Sequence, residues 1–335
     1  MIAGGGGSIR VVVLGAGALG SLVGGQLAES GCDVTLIARR SHAETIKEKG
    51  LTIKGPRGTK VVEVKATDDS TKIRSADTLV LTTKTKDTVD ALDSISHLSS
   101  SLRLSFSLQN GLTKNVHLIE KFGQGKVIGA ATTEGVTLTN YGEIEHTAPG
   151  VTFFGALGGE SDTHGAEDSE KMVNLFNNAG LRAEVADDIR SVEWGKLIRM
   201  ASGAILSILT KLELHKILKN FDLAWCYVQL MREFGEIAKA DGVTLKDHPQ
   251  MPVQSLIDPP IEDAVRIVVA NGKGLERAGM TRVKVSALQD VERGRKTEVD
   301  DLLGNPLLLA RKLNVKTPTL DYLYRLIKGL DSYLL

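Results

Sequence analysis

Val11-Val12-Val13-Leu14-Gly15-Ala16-Gly17-Ala18-Leu19-Gly20 is the stretch that decides the fold. Four apolar residues run straight into Gly15-x-Gly17-x-x-Gly20. Leu19, Leu22, Val23 and Leu27 then recur at helical spacing. A strand, a glycine loop and a helix in that order form a phosphate cradle. Gly15 permits the tight turn out of the strand, and Gly17 lets the backbone approach a pyrophosphate. Gly20 lets the helix pack close to the strand. Ala16, Ala18 and Leu19 complete the loop, and the helix N-terminus offers free N–H groups to phosphate oxygens. A second apolar strand, Val34-Thr35-Leu36-Ile37, leads to Ala38-Arg39-Arg40. An NAD-binding chain usually carries an acid there for the ribose hydroxyls. Two arginines suit a 2′-phosphate instead, the alternative being solvated loop charge. The stretch therefore predicts an NADP-binding domain at the N-terminus.

Composition bounds the rest. A chain of 335 residues that is 42% hydrophobic suggests about two domains with sizeable cores. Lys plus Arg and Asp plus Glu both number 41, so the net charge is zero. That argues against a general binder of nucleic acid or anionic membrane, which needs a basic excess. Cys32 and Cys226 lie far apart and suggest neither a disulfide framework nor a zinc site, which fits a reducing, cytoplasmic setting. The Gly-rich start lacks the basic and apolar regions of a signal peptide. No apolar stretch is long enough to span a bilayer. The seven His include no i,i+4 pair, so no protein-built metal site is expected.

The first half alternates strand and helix. Strands are predicted at 10–14, 33–38, 78–83, 103–107 and 127–131, with helices near 18–30, 86–98 and 112–122. Alternation of this kind implies a parallel sheet wrapped by helices. Residues 51–54 and 61–64 flank Gly-Pro-Arg-Gly and read as an inserted hairpin. From 135 to 154, short alternating runs predict antiparallel strands finishing the sheet, and a helix (167–178) and a strand (182–185) close the domain. Beyond Asp187-Asp188 the chain reads as helices, broken at His248-Pro249, Asp258-Pro259-Pro260 and Gly304-Asn305-Pro306. The expected fold is α/β: a Rossmann-type parallel sheet with added antiparallel strands over 1–187, then an all-helical domain over 188–335.

Trp194, Leu197, Ile198, Ala201, Ile205 and Ile208 form an apolar stripe in the first helix of that second domain. Arg199 is the one charge between Leu197 and Leu209. Lys196 leads a row with Met200 and Ala204 at i, i+4 and i+8. A lysine desolvated there can donate a proton to a carbonyl oxygen as hydride arrives; the alternative is a lysine that snorkels to solvent. Asn110 and Lys84 both follow strand ends, where ligands of open parallel sheets bind. The alternatives are an Asn-Gly turn and a surface lysine. The carboxylates between Ser286 and Glu298 read by themselves as a solvated helix face.

Together these pieces resemble one family, the ketopantoate reductases. Gly15–Gly20 with Arg39 is similar to the family's NADPH loop and its 2′-phosphate arginine. Lys84 and Leu108-Gln109-Asn110-Gly111 resemble its cofactor-side lysine and its asparagine at cofactor and substrate. Trp194-x-Lys196-Leu197 resembles the segment of its catalytic lysine. Ser286 to Glu298 resembles that of its substrate-binding serine and glutamate. The likeness runs from about residue 10 to residue 328. It implies NADP(H) as cofactor and a small 2-keto acid as substrate, reduced to a 2-hydroxy acid. Ketopantoate to pantoate, in pantothenate and coenzyme A biosynthesis, is the family default. Lys196 would be the proton donor, Glu298 its partner or a ligand for a substrate hydroxyl, and Ser286 the carboxylate ligand. Where the family carries asparagines four and eight residues after the lysine, this chain has Met200 and Ala204. That makes the substrate side more apolar and keeps two alternatives open. One is a D-2-hydroxyacid (mandelate-like) dehydrogenase acting on a more apolar, branched 2-keto acid. The other is an NADP(H)-binding protein without turnover. The reading leaves room for a homodimer.

Overall fold

The computed structural model describes residues 8–56, 58–281 and 285–334. The Gly-rich start and the side chain of Ser286 lie outside the described residues. Spatial proximity divides the chain into two units. One comprises residues 1–109 and 113–189, the other residues 110–112 and 190–335.

The first unit is built on five parallel strands. β1 (Arg10–Leu14) leads through α1 (Ala18–Glu29) to β2 (Asp33–Ile37). α2 (Arg40–Lys49) is followed by β3 (Leu51–Gly55), β4 (Gly58–Val62) and β5 (Lys65–Thr67). β6 (Thr78–Leu81), α3 (Thr88–Ser94) and β7 (Leu104–Ser107) come next. The order across the sheet is β5-β2-β1-β6-β7, every pair parallel. β1 therefore lies at the centre, and the strand order reverses around it. Its side chains alternate between two cores. Val11 and Val13 pack with Leu22, Leu36 and Phe106, while Val12 and Leu14 pack with Leu79, Leu92 and Leu118. Burial on both faces is why β1 reads as an unbroken apolar run.

The remaining strands depart from the sequence reading. α4 (Lys114–Phe122) precedes β8 (Gly129–Thr132), β9 (Gly135–Asn140), β10 (Glu143–Ala148) and β11 (Thr152–Gly155). α5 (Thr163–Asn178) and β12 (Ala183–Val185) close the unit. These strands do not extend the parallel sheet. β3, paired with β4 on one side, takes β10 in parallel on the other, and β9 joins β10 antiparallel, giving the sheet β4-β3-β10-β9. β8, β11 and β12 form a third sheet. The hairpin's second strand also begins earlier than expected, because Gly55 pairs directly with Gly58 and brings the return strand forward.

The second unit is helical among its described residues. α6 (Ile189–Thr210), α7 (Leu214–Lys219) and α8 (Phe221–Ala240) are followed by α9 (Gln254–Ile257) and α10 (Ile261–Arg277). α11 (Ser286–Glu292), α12 (Asn305–Lys312) and α13 (Pro318–Asp331) complete it. One expected break is absent: a π-helical turn, Asp300–Gly304, runs into α12 with Pro306 in its first turn. Proline is tolerated there because a first-turn N–H has no intrahelical partner to lose. Among the described residues no helix is long and apolar enough to cross a membrane.

A buried histidine ties three elements of the first unit together. His42 of α2 is 2% exposed. Its Nδ1 accepts the Gly142 N–H at 2.8 Å, which leaves the proton on Nε2, 3.0 Å from Ser21 Oγ of α1. Burial holds the His42 pKa below the usual histidine value. The unfolded chain therefore takes up the second imidazole proton at higher pH than the folded one, and stability is lost as pH falls below about 6.5. Urea unfolding of the wild type between pH 7 and pH 5 should show that loss. His42→Asn should flatten the slope, and equal slopes would refute the assignment.

Candidate functional site

The glycine loop sits at the carboxyl end of β1, between the ends of β2 and β6. The N–H groups of Gly15 and Ala16 both donate to the Ile37 carbonyl, at 3.1 and 2.8 Å. Gly15 has φ +96°, and a Cβ there would lie 2.5 Å from the Thr83 nitrogen. A Cβ on Gly20 would lie 2.5 Å from Thr82 Oγ1, which itself donates to the Gly15 carbonyl at 3.0 Å. These glycines let two strand ends and a helix start touch. Gly17 differs, since a Cβ there would approach only the Gly15 carbonyl, at 3.9 Å. α1 starts at Gly17 without a side-chain cap and without an acid in its first turn. An open backbone and an uncapped helix N-terminus fit a pyrophosphate.

The sequence reading missed the residue that holds this rim. Gln109, 6% exposed, follows β7. Its Nε2 donates to Thr83 O at 2.9 Å, Thr83 Oγ1 at 3.1 Å and Thr88 Oγ1 at 2.7 Å. Its Oε1 accepts from Ser107 Oγ at 2.9 Å. One buried amide thus fastens the end of β7 to Thr83, which lies against Gly15 and precedes Lys84. Lys84 is exposed and starts the turn Thr85–Asp87. The two arginines separate: Arg40 pairs with Asp68 at 3.0 Å, whereas exposed Arg39 has no ion pair among the described residues.

In the second unit, α6 carries the expected row. Lys196 and Met200 are half-buried, with Met200 packed on the core, and Ala204 lies within that core at 2% exposure. The start of α6 is anchored by Asp241, which accepts from Arg190 Nη2 at 2.7 Å and Trp194 Nε1 at 3.4 Å. Asn110, Gly111 and Leu112 belong to this unit. Gly111 has φ +88°, the left-handed geometry of an Asn-Gly turn, and a Cβ on it would approach the Asp301 carbonyl at 3.6 Å.

Half-buried Glu298 precedes the π-helical turn, and α13 grips that segment from one face. Asp331 accepts the Thr297 N–H and hydroxyl at 3.1 and 2.9 Å. Tyr324 and Lys328 donate to Asp300 at 2.7 and 2.8 Å. Burial pushes the Asp300 carboxyl up, but the bonds from Lys328 and Tyr324 outweigh it and hold the group below the usual carboxylate range. Tyr324, Lys328 and Asp331 recur at i, i+4 and i+7. That periodicity was available in the sequence as a signal.

A glycine loop at the switch point of a parallel sheet marks a dinucleotide-binding fold. The sequence profile of the ketopantoate reductase PanE/ApbA family matches residues 11–159, and that of its C-terminal part matches residues 188–331. The 2-dehydropantoate 2-reductase of Pyrococcus abyssi is 34% identical over 97% of this chain and 98% of its own. That of Archaeoglobus fulgidus is 28% identical over 96% and 98%. The PanE/ApbA family ketopantoate reductase from Ralstonia eutropha superposes with a TM-score of 0.80 at 26% identity, covering 97% of this chain and 99% of its own. D-mandelate dehydrogenase, solved with NADH and anilino(oxo)acetate, shares the fold with a TM-score of 0.81 at 19% identity, over 97% and 99%. The chain belongs to the ketopantoate reductase family, whose members are NADPH-using oxidoreductases acting on CH–OH groups.

Removing the amide of Gln109 tests the rim directly. Gln109→Leu strands the Thr83 carbonyl and should cost about 1–3 kcal/mol of stability. It should also speed amide exchange at Gly15–Gly17 and Thr83–Lys84 well above that in β5. Unchanged exchange at the glycine loop, with the protein folded, would show that Gln109 does not position it.

Proposed function

We propose that this protein reduces a 2-keto acid to a 2-hydroxy acid with NADPH in the cytoplasm, with ketopantoate to pantoate, in pantothenate and coenzyme A biosynthesis, as the leading substrate pair. One observation carries the reading: Lys196 stands half-buried on an apolar helix, in the same unit as Asn110 and Glu298. Gly15–Gly20 would hold the pyrophosphate against the start of α1. Arg39, whose guanidinium has no ion pair among the described residues, would take the 2′-phosphate, an interaction between a fork of donors and an oxyanion. Lys84 would sit beside the cofactor. NADPH supplies the hydride when bound.

The protein's own residues handle the oxygen and the carboxylate. Lys196 would donate a hydrogen bond to the keto oxygen, stabilise the negative charge that develops there, and pass it a proton. Asn110 would donate a second hydrogen bond near that oxygen or the nicotinamide. Ser286 would bind the carboxylate, and Glu298 would orient Lys196 or accept from a substrate hydroxyl. Thr297, held by Asp331, would keep Glu298 in place.

Met200 and Ala204 favour a second reading within the same chemistry. Methionine is a weak acceptor and alanine none. A substrate hydroxyl on that side would find no amide, which suits a more apolar branched or aromatic 2-keto acid.

NADPH oxidation should therefore be measured with ketopantoate, branched 2-keto acids and phenylglyoxylate. Turnover of at least one is expected. Lys196→Ala should lower kcat by about 10²–10⁴-fold on the best substrate. Arg39→Ala should raise KM for NADPH by about tenfold or more while leaving NADH within about twofold. NADPH binding without turnover across the panel would replace the reductase reading with that of a binding protein. Equal losses for both cofactors would remove Arg39 from the 2′-phosphate.

A further inference from the structure

A cavity lies wholly within the helical unit. Its volume is about 390 Å³, and Leu218, Tyr227, Leu256, Val268 and Leu275 supply its walls together with Arg199. Neither Lys196, Met200, Ala204 nor Glu298 lines it. On α6, Arg199 stands about 60° round the axis from Lys196 and further from Met200 and Ala204. The cavity is therefore on another side of the helix from the proposed catalytic row.

Arg199 is the feature that needs an explanation. It is half-buried and is the single charge in the apolar part of α6. Its guanidinium makes no hydrogen bond or ion pair with the described residues. Only its carbonyl is engaged, by the Tyr227 hydroxyl at 3.3 Å. Taking a charge partly out of water without a partner is unfavourable, and an apolar residue would fit this helix better. Arginine at such a position is suited to an anion that arrives from outside, because its planar fork binds a carboxylate bidentately. One cation and one amide, Asn271, among otherwise largely apolar walls match a monoanion with an apolar body. A phosphate dianion would call for a second cation, and Arg199 is the one charged residue in the lining. The volume lies within the range of small-molecule sites. The rim is open as well: a Cβ on Gly274, in α10, would meet nothing within 4 Å.

We propose that this cavity binds a small monocarboxylate with a branched or aromatic apolar body, anchored on Arg199. The site is separate from the one that holds the reacting acid, and it stands whether or not the reductase reading does. The probe is 4-fluorophenylacetate, which has no keto group to reduce, followed by ¹⁹F NMR on the full-length protein; 4-fluorophenylacetamide is its neutral control. Saturable binding of the acid, at least tenfold tighter than the amide, is expected. Arg199→Met should weaken it tenfold or more without lowering the unfolding temperature, since the charge it removes has no partner. Gly274→Leu fills the rim from a helical position with free space and should block binding independently.

Equal binding of acid and amide overturns the proposal, as does unchanged binding in both variants. Loss of binding in Lys196→Ala but not in Arg199→Met would place the probe at the reductase site and also overturn it. Sedimentation shows whether a second copy covers this face instead. A dimer abolished by Gly274→Leu, with no probe bound to the monomer, would refute the small-molecule reading.

Discussion

The absence of space at two α-carbons is the constraint on which the first unit depends. Gly15 and Gly20 face Thr83 and Thr82 at distances that no Cβ could occupy. β1 can therefore end, turn and start α1 while still touching the end of β6. The sheet order makes that contact matter. With β2 on one side of β1 and β6 on the other, the loop emerges where the strand order reverses. It is pinned from both sides, by the Ile37 carbonyl and by Thr82 and Thr83. A loop so held keeps its backbone open only at Gly17, and that opening faces the uncapped start of α1. Binding there needs little further ordering of the chain, which is the main cost a flexible phosphate loop would carry.

What was legible in the sequence follows from how local each signal is. β1 and β6 are buried almost throughout, so their apolar runs announce them, although β6 ends two residues before the expected 83; β2 alternates buried and half-buried residues and is announced by its Val34 and Leu36. The glycine loop is legible because its steric demands fall on fixed spacings. The two accessory sheets are not. Strand β3 pairs with β10 some ninety residues later, and nothing in either segment names its partner. Gly304-Asn305-Pro306 misleads for a different reason. All three residues break helices in general, yet a first-turn proline needs no N–H, and the π-helical turn absorbs the irregularity.

The same distinction runs through the candidate site. Residues presumed to touch ligand lie in short motifs and can be found one segment at a time. Residues that hold those motifs in place are scattered. Gln109 reads as the neighbour of an Asn-Gly turn until its three partner residues, Thr83 just past β6, Ser107 of β7 and Thr88 of α3, are seen. Asp331 lies thirty-three residues beyond Glu298 and acts through Thr297. Its alignment with Tyr324 and Lys328 on one face of α13 is periodic, but polar periodicity on an exposed helix usually means only solvation. Contact with the 297–300 segment is what gives it another meaning.

Helix α6 carries four charged residues, and the last two, Lys196 and Arg199, stand there for different reasons. A helix apolar on most faces excludes water along most of its length, so any charge on it must leave by a gap between neighbours or meet a counter-charge. Lys196 stands in the first half of the helix, two residues after Trp194, where the anchor at Asp241 fixes its direction. Arg199 stands one turn on, beside a cavity that the neighbouring helices leave open. Were its charge only a matter of solubility, a position on the exposed faces of α8 or α10 would serve without desolvation. Its place between apolar walls, three residues from the lysine, ties any anion held there mechanically to the helix that carries Lys196. Sharing a helix is not by itself communication: one site biases another only where the element between them has two arrangements that the ligands tell apart.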